Sequence, residues 1–203
     1  MGVAQSVISP KLVDRVKAIL MKPKAEWPVI EAEQAEIATL YRSYVIPLAA
    51  IGPVATAIGS ALIGTTTLNG VVRVSITTAI VGAIVAFALS LLGTYIVAQV
   101  IDNLAPQHSG TRNLTQAFKV SAYSSTAQWL AGIFALIPAL SGLSILGLYS
   151  LYLLYLGLPV LMKVPQEKAM NYTVTVVVVA LIVFIVIAVI SGILIGAAAV
   201  ATL

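Results

Sequence analysis

The sequence predicts an all-α polytopic membrane protein with five transmembrane helices and an N-terminal amphipathic helix. The first observation is composition: hydrophobic residues make up 60% of the chain and charged residues 9%, with a mean hydropathy of +1.06. A soluble domain typically carries about 25% charged residues. The second observation is that the charged side chains after residue 43 all lie between apolar runs. They are Arg73, Asp102, Arg112, Lys119, Lys163, Glu167 and Lys168.

Residues 1–43 are predicted to form a cytoplasmic amphipathic region ahead of a membrane domain over residues 44–203. Ser9 and Pro10 are typical of an N-cap followed by the first helical position, and Pro23 ends the helical pattern. Apolar residues recur at helical spacing between them, opposite a charged side made of Lys11, Asp14, Arg15 and Lys17. This basic helix is expected either to lie on an anionic membrane surface or to pack on the protein's own cytoplasmic loops.

An acidic stretch follows the basic helix, at Glu26, Glu31, Glu33 and Glu36. Two interpretations stay open for it. The carboxylates could form a patch that binds a partner, or they could be the solvated face of a second short helix. The second interpretation is favoured because charged side chains on short helices usually face water.

Five apolar runs are long enough to cross a hydrocarbon core, which takes about 20 helical residues. They are Val45–Ile63, Val74–Ile101, Ala122–Leu140, Leu143–Leu161 and Tyr172–Val200. The runs are continuous and do not alternate with polar residues, which favours helices over barrel strands. Ser141 and Gly142 leave no room for a loop, so the third and fourth spans are predicted to form a tight hairpin.

The distribution of basic residues predicts the orientation. With five spans, every one of the eleven Lys and Arg side chains except Arg73 falls on the side that holds the N-terminus. The positive-inside rule therefore places the N-terminus in the cytoplasm and the C-terminus outside. The same rule accounts for the net charge of +4, so no nucleic-acid partner is expected.

Small residues at four-residue spacing predict where helices pack, because they let backbones approach closely in lipid. Such series begin at Gly52 in the first span and at Gly82 in the second, and Gly192 and Gly196 form a GxxxG in the fifth. The GxxxG is interpreted as a dimerisation face or, preferentially, as an intramolecular packing face. The expected partners are membrane lipids and another membrane protein or a second copy of the chain.

The polar concentration beside the spans covers residues 102–129. It carries the candidate functional side chains, which are Asp102, His108, Arg112, Lys119, Tyr123, Ser124 and Gln128. Three interpretations stay open. Asp102 and His108 could handle a proton or an ion in a pocket. Asp102 could instead pair with Arg112 in a structural turn in which Asn113 caps the next helix. The loop could also dock a cytoplasmic partner or a lipid head group.

The run from Tyr123 to Gln128 has five polar side chains in six positions. Such side chains are costly in lipid, so they are expected to face a cavity or other helices. A substrate path and a polar seam joining the third span to the second are both open. The chain has no cysteine and one histidine, and it contains no nucleophile elbow or P-loop. No enzymatic activity, metal or cofactor is therefore expected.

Short motifs in a fixed order resemble the bacterial branch of the Yip1 family. They are Leu104-Ala105-Pro106 with Gly110, Gln116-Ala117-Phe118-Lys119, Ala122-Tyr123-Ser124, Gln128-Trp129, Pro138, Tyr149 with Tyr152, Gly157-Leu158-Pro159 and Lys163-Val164-Pro165. The resemblance extends from about Ala25 to the end of the chain. It implies a five-helix bundle with a cytoplasmic N-terminus, in agreement with the distribution of basic residues.

The resemblance also implies a class of function. Eukaryotic Yip1 relatives act in vesicle traffic, bind prenylated Rab GTPases and form complexes with one another. This chain lacks their long N-terminal region and their Asp-Leu-Tyr-Gly-Pro motif, which favours a prokaryotic inner membrane. We expect a non-enzymatic scaffold, trafficking-like or accessory subunit that works through protein and lipid contacts. The alternative is a small transporter or ion-conducting protein that uses residues 102–129.

Overall fold

The computed structural model of the protein describes residues 12–67 and 70–200. Two short helices come first, α1 (Leu12–Met21) and α2 (Pro23–Ala32). Pro23 occupies the first position of α2, where its missing N–H costs no helical hydrogen bond. The predicted start of the basic helix, Ser9 to Lys11, lies outside the described residues. The predicted separation into an apolar and a charged face does not hold at Arg15, because this side chain is 3% exposed.

The first long helix, α3, covers Ile37–Ile63. It contains two π-helical turns, at Tyr41–Val45 and Gly59–Ile63. Pro47 follows the first of these turns and lacks the N–H that a regular helix would pair with the preceding turn. The wider turn accommodates that missing donor.

A β-hairpin that the sequence did not predict joins α3 to the next helix. Strand β1 (Thr65–Thr67) pairs antiparallel with β2 (Gly70–Val72). Gly64 ends α3 with a φ of 81°, a conformation that glycine adopts without a steric penalty. A Cβ added at Gly64 would lie 2.7 Å from the carbonyl oxygen of Val72, so the close approach of the hairpin also requires glycine.

The second long helix, α4, covers Ile76–His108 and ends in a 3₁₀ turn. Ser75 caps its start by accepting a hydrogen bond from the backbone N–H of Thr78 at 3.1 Å. The helix continues beyond the predicted end at Ile101. Ser109, with a φ of 61°, turns the chain away from the helix axis.

The third predicted span, Ala122–Leu140, is not one helix. Helix α5 (Leu114–Ser124) is followed by α6 (Thr126–Ala131) and by a 3₁₀ segment, Gly132–Leu136. Ile137 is extended, with φ −115° and ψ 104°, because a following proline disfavours helical backbone. The tight turn predicted at Ser141-Gly142 is therefore wrong, since the chain reverses at Ile137.

Two further helices complete the described chain. Helix α7 (Pro138–Leu161) begins as a 3₁₀ helix and becomes α-helical at Tyr149. Helix α8 covers Gln166–Val200. Within the described residues, four helices are long and apolar enough to cross a membrane: α3, α4, α7 and α8 over Gln166–Val186. The all-α membrane fold class holds.

Helices α5 and α6 lie beside α3 and run in the same direction. The hydroxyl of Tyr44 lies 2.6 Å from that of Thr126. Further along both segments, Gly132 is in contact with Gly52, and the backbone of Leu136 is in contact with Gly59. The segment from Leu114 to Leu136 thus follows α3 for most of its length.

The other helices pack with alternating direction. Helix α4 runs antiparallel to α5 and α6, and the hydroxyl of Ser121 donates to the carbonyl oxygen of Thr94 at 2.7 Å. Helix α8 runs antiparallel to α4, with Tyr172 beside Ile101 and Phe184 beside Gly93. Helix α7 runs antiparallel to α6. The result is a bundle of five neighbouring segments.

One end of the bundle, which we call the charged end, collects the loops that carry most of the charges. The backbone N–H of Thr111 donates to the carbonyl oxygen of Met162 at 2.8 Å, and Lys168 donates to the hydroxyl of Ser109 at 2.7 Å. Lys163 reaches Glu31 of α2, also at 2.7 Å. The N-terminal helices and both loops, 105–113 and 162–168, therefore meet at this end.

The buried core lies toward the charged end. Its fully buried side chains come from α1, α2 and the bundle, and include Ile19, Trp27, Ile30, Ile101, Phe118, Leu153 and Tyr172. Away from the charged end the helices expose apolar side chains such as Ile76, Ile80, Ile84, Ile145 and Ile185. This distribution is typical of helices that face lipid.

We predict that Gly157→Ala loosens α2. A Cβ at Gly157 would lie 2.7 to 2.9 Å from ring atoms of the fully buried Trp27, and overpacking of this kind costs about 1–3 kcal/mol. The measurement is thermal unfolding in detergent. Gly82→Ala is the matched control because a Cβ there meets no atom within 4 Å. Equal melting temperatures for the two variants would contradict the packing of α2 described above.

Candidate functional site

Asp102 and Arg112 form an ion pair near the end of α4. Arg112 donates to Oδ2 of Asp102 through Nη2 at 2.9 Å and through Nε at 3.1 Å. Asn113 caps α5 by accepting from the backbone N–H of Gln116 at 3.1 Å. These are the contacts of the structural-turn interpretation. The other carboxylate oxygen of Asp102 is buried and has no hydrogen-bond partner among the described residues.

His108 lies against α8. Its ring stacks on that of Tyr172, with centroids 4.9 Å apart and planes inclined by 29°. The hydroxyl of Tyr172 donates to the carbonyl oxygen of Ile101 at 2.5 Å. No hydrogen bond between His108 and Asp102 occurs in the part of the chain that the structure describes. The ion-handling and docking interpretations of this loop stay predictions.

Lys119 points into the protein and is 1% exposed. Its ammonium donates to the carbonyl oxygens of Ile30 at 2.8 Å and Glu33 at 2.5 Å, with Glu31 further away at 3.5 Å. These carbonyls lie at the C-terminal end of α2, where a cation is favourable. Lys119 of α5 thus caps α2.

Arg15 of α1 completes this arrangement. Its guanidinium forms ion pairs with the carboxylates of Glu26 and Glu33, and it lies 5.7 Å from the ring centroid of Tyr123, within cation–π range. We call Arg15, Glu26, Glu33 and Lys119 the buried ionic cluster. It joins α1, α2 and α5. Sequence reasoning missed it, because Arg15 was assigned to the charged side of the helix, opposite its apolar face.

The acidic stretch therefore has mostly internal partners. Glu26 and Glu33 pair with Arg15, and Glu31 pairs with Lys163 at 2.7 Å. The Lys163 ammonium lowers the pKa of Glu31. The abundance of opposite charges between residues 14 and 36 is a signal for such pairing, but it does not identify which side chains meet.

Tyr123 and Ser124 lie at the end of α5 and are buried. The ring of Tyr123 packs on Tyr44, with centroids 4.5 Å apart. The Ser124 hydroxyl donates to the carbonyl oxygen of Ser121 at 3.3 Å. Polar contacts also join α6 to α4, because the indole N–H of Trp129 donates to the hydroxyl of Ser90 at 3.3 Å. The polar run thus contributes to helix packing.

A cavity of about 510 Å³ lies between α4, α5–α6, α7 and α8. Its polar side chains are Ser90, Thr94, Ser121, Ser124, Ser125, Gln128 and Ser150, and the rest of the lining is apolar or glycine, apart from Trp129. None of the described residues that line it carries a charge. Of the predicted site residues, only Ser124 and Gln128 reach this cavity.

Of the predicted packing glycines in the second and fifth spans, the structure describes the surroundings of Gly82 alone. Gly82 is exposed, and a Cβ there would meet no atom within 4 Å. Gly82 therefore makes no close helix contact among the described residues. Gly192 and Gly196 lie in the part of α8 whose side-chain surroundings fall outside the description. The described structure also holds no group of three or more potential metal ligands.

The comparisons with known proteins give a family. A family model described as the Yip1 domain matches residues 17–188, which is more than half of the chain. The chain belongs to the Yip1 family. The Yip1 match begins inside α1, so α2 and its glutamates lie within the matched range together with Lys119.

One curated relative is the inner membrane protein YohC of Escherichia coli strain K12. It is 25% identical over 167 residues, which cover 79% of this Yip1 chain and 85% of YohC. The YohC protein of strain CFT073 gives the same values. No solved structure matches the chain.

We predict that Arg15→Met strongly destabilises the protein. The variant leaves Glu26 and Glu33 without their cation, and breaking a buried pair costs about 3–5 kcal/mol. Thermal unfolding and limited proteolysis of α1 and α2 provide the measurement. The control is Lys168→Met, which removes an exposed lysine. The double variant Arg15→Met/Glu33→Gln should recover part of the loss, and an Arg15→Met protein as stable as the control would contradict the cluster.

Proposed function

We propose that this Yip1 protein is a non-enzymatic inner-membrane scaffold or accessory subunit. It acts through contacts with membrane lipids and with another membrane protein or a second copy of itself. The name of its relative YohC, an inner membrane protein, supports this location. The apolar helices support an integral position in that membrane.

The buried ionic cluster is the observation that carries this proposal. Lys119 caps α2, Arg15 holds α1 to α2, and Arg112 neutralises Asp102. Side chains held in this way fix helices relative to one another and are engaged in structural contacts. Their arrangement supports a rigid layer at the charged end that presents α1 and α2 to a partner.

The corner between α1 and α2 supports a contact with lipid. Met21 is 79% exposed and directly precedes Lys22. Together with Lys22 and Lys24 it borders a shallow cavity that also includes Tyr149 and Tyr152. Tyrosine is enriched at membrane interfaces, and each lysine near an anionic surface contributes about 1 kcal/mol of attraction. The corner is suited to rest on anionic head groups.

The bundle also supports five crossings as part of this proposal. With four crossings, the loops 105–113 and 162–168 would lie on opposite faces of the membrane. They are instead hydrogen-bonded to each other through Thr111 and Met162 and through Lys168 and Ser109. The segment from Leu114 to Leu136, which follows α3, supplies the additional crossing. The basic residues then favour a cytoplasmic charged end and an external C-terminus.

Transport through residues 102–129 is the second candidate, and the cavity is the observation that favours it. However, Asp102, His108, Arg112 and Lys119 do not line that cavity. The side chains suited to handle an ion are thus separate from the space that a solute would occupy. Transport therefore ranks below the scaffold.

We predict that labelling distinguishes the two faces of the membrane. The chain has no cysteine, so single cysteines can be introduced at the exposed positions Gln107 and Ser141. A membrane-impermeant maleimide should label Ser141→Cys in intact spheroplasts and Gln107→Cys only after permeabilisation. Labelling of both positions from the same side would contradict five crossings, and the reverse pattern would contradict the orientation.

We predict that the native protein leaves the membrane with a bound lipid or a protein partner. Native mass spectrometry of the protein extracted from inner membranes should show such adducts for the wild type. Arg15→Met should lose most of the protein partner because α1 and α2 are no longer held, whereas Lys168→Met should retain it. A wild-type protein that is consistently bare and monomeric would contradict the scaffold proposal.

A further inference from the structure

The cavity between α4, α5–α6, α7 and α8 has two chemically different walls. Six hydroxyl side chains and the amide of Gln128 come from α4, α5–α6 and α7, and we call them the polar wall. Helix α8 contributes only apolar side chains, including Leu181 and Phe184, and with Leu151 and Leu154 of α7 they make up what we call the apolar wall. Its volume of about 510 Å³ falls within the range of about 300–1,000 Å³ that small-molecule sites occupy. An occupant of this space would be apolar along one edge and form hydrogen bonds along the other.

The hydrogen bonds already made by the hydroxyls show what such an occupant must offer. The hydroxyl hydrogens of Thr94, Ser121, Ser124 and Ser125 are donated to backbone carbonyls. Ser90 and Ser150 differ, because each accepts a hydrogen bond: Ser90 from the Trp129 indole and Ser150 from the backbone N–H of Gln128. Within the described residues neither has an acceptor for its own hydrogen. The site therefore offers donors, and its ligand must carry acceptors.

The uncharged lining and the exposure of the cavity toward lipid restrict the class of ligand further. Among the residues that the structure describes, no charged side chain lines the cavity, so the bound part of the ligand is uncharged. Leu151, Leu181 and Phe184 at its apolar wall are 44%, 55% and 44% exposed, and they belong to helices α7 and α8, which are suited to face lipid. A molecule in the membrane can therefore reach the site laterally.

We propose that this cavity binds one ester-linked glycerolipid, with its ester carbonyl oxygens accepting hydrogen bonds from Ser90, Ser150 and the Gln128 amide. An acyl chain then lies along Leu151, Leu154, Leu181 and Phe184. Ester carbonyls are uncharged acceptors joined directly to a long apolar chain, and this combination matches the two walls. The inference deepens the lipid contacts of the proposed function and rests on them only for access from the membrane.

The test compares an ester lipid with an ether lipid. A delipidated protein is mixed with equal amounts of dioleoyl phosphatidylethanolamine and its diether analogue, which lacks the carbonyl oxygens, and bound lipid is counted by native mass spectrometry. Loss of the hydrogen bonds to the ester carbonyl oxygens predicts a preference for the diester of about tenfold. Equal binding of the two lipids would overturn the inference.

Matched variants test whether the preferred lipid binds in this cavity. Ala180→Phe fills the cavity and should remove the preferred lipid, whereas Val178→Phe on the exposed side of the same helix should retain it. Ser90→Ala should weaken the preference severalfold, and Ser124→Ala should not, because its hydroxyl hydrogen is already donated to the backbone. Circular dichroism verifies folding of each variant. If Ala180→Phe does not fold, the comparison of Ser90→Ala with Ser124→Ala decides the outcome, and an equal diester preference in these two variants would overturn the inference.

The failure of this inference is distinguishable from a failure of the scaffold proposal. Lipid that binds equally to Ala180→Phe and Val178→Phe would overturn the cavity site. It would leave the scaffold proposal unaffected, because that proposal depends on a protein partner retained through α1 and α2. A wild-type protein that is bare when extracted but still prefers the diester in the mixing experiment would contradict the scaffold proposal and leave the cavity site unaffected.

Discussion

The buried ionic cluster is the interaction on which the rest of the charged end depends. Removing charges from water is costly unless each finds a partner with good geometry. Arg15 and Lys119 are 3% and 1% exposed, so the protein must bring carboxylates and carbonyl oxygens to them. Both come from α2 and the residues just after it. The position of α2 therefore determines where α1 and α5 lie, and none of the three helices can move alone.

The lengths of the long helices explain how a membrane bundle accommodates such a cluster. Helix α4 has 33 residues, and a rise of 1.5 Å per residue gives a length of about 50 Å. A hydrocarbon core is only about 30 Å thick. The helix therefore extends well beyond the hydrocarbon. That extension leaves room at one end for α1, α2 and the charges, while the remainder exposes Ile76, Ile80 and Ile84 in the manner of a lipid-facing surface.

The sequence predicted the features that depend on composition along the chain. Hydropathy located α3, α4, α7 and α8, and the need to neutralise Asp102 led to Arg112 among the candidate cations. Other features depend on which residues meet in space. Arg15 was placed on the charged side of its helix, and helical spacing does not reveal the glutamates that it meets in and just after α2. The break at Ile137 had a signal in Pro138, but continuous hydropathy outweighed it. The cavity arises from four helices together and leaves no pattern in any one of them.

Helices α1 and α2 are an integral part of the bundle, and hydrogen exchange tests this most directly. Exchange is measured on the wild-type protein in nanodiscs and followed at the backbone amides of residues 27 and 29–32 of α2. We predict protection comparable to that of α5, because Trp27 and Ile30 are fully buried and Lys119 caps the helix. Exchange of these amides as fast as that of an exposed loop would contradict the account.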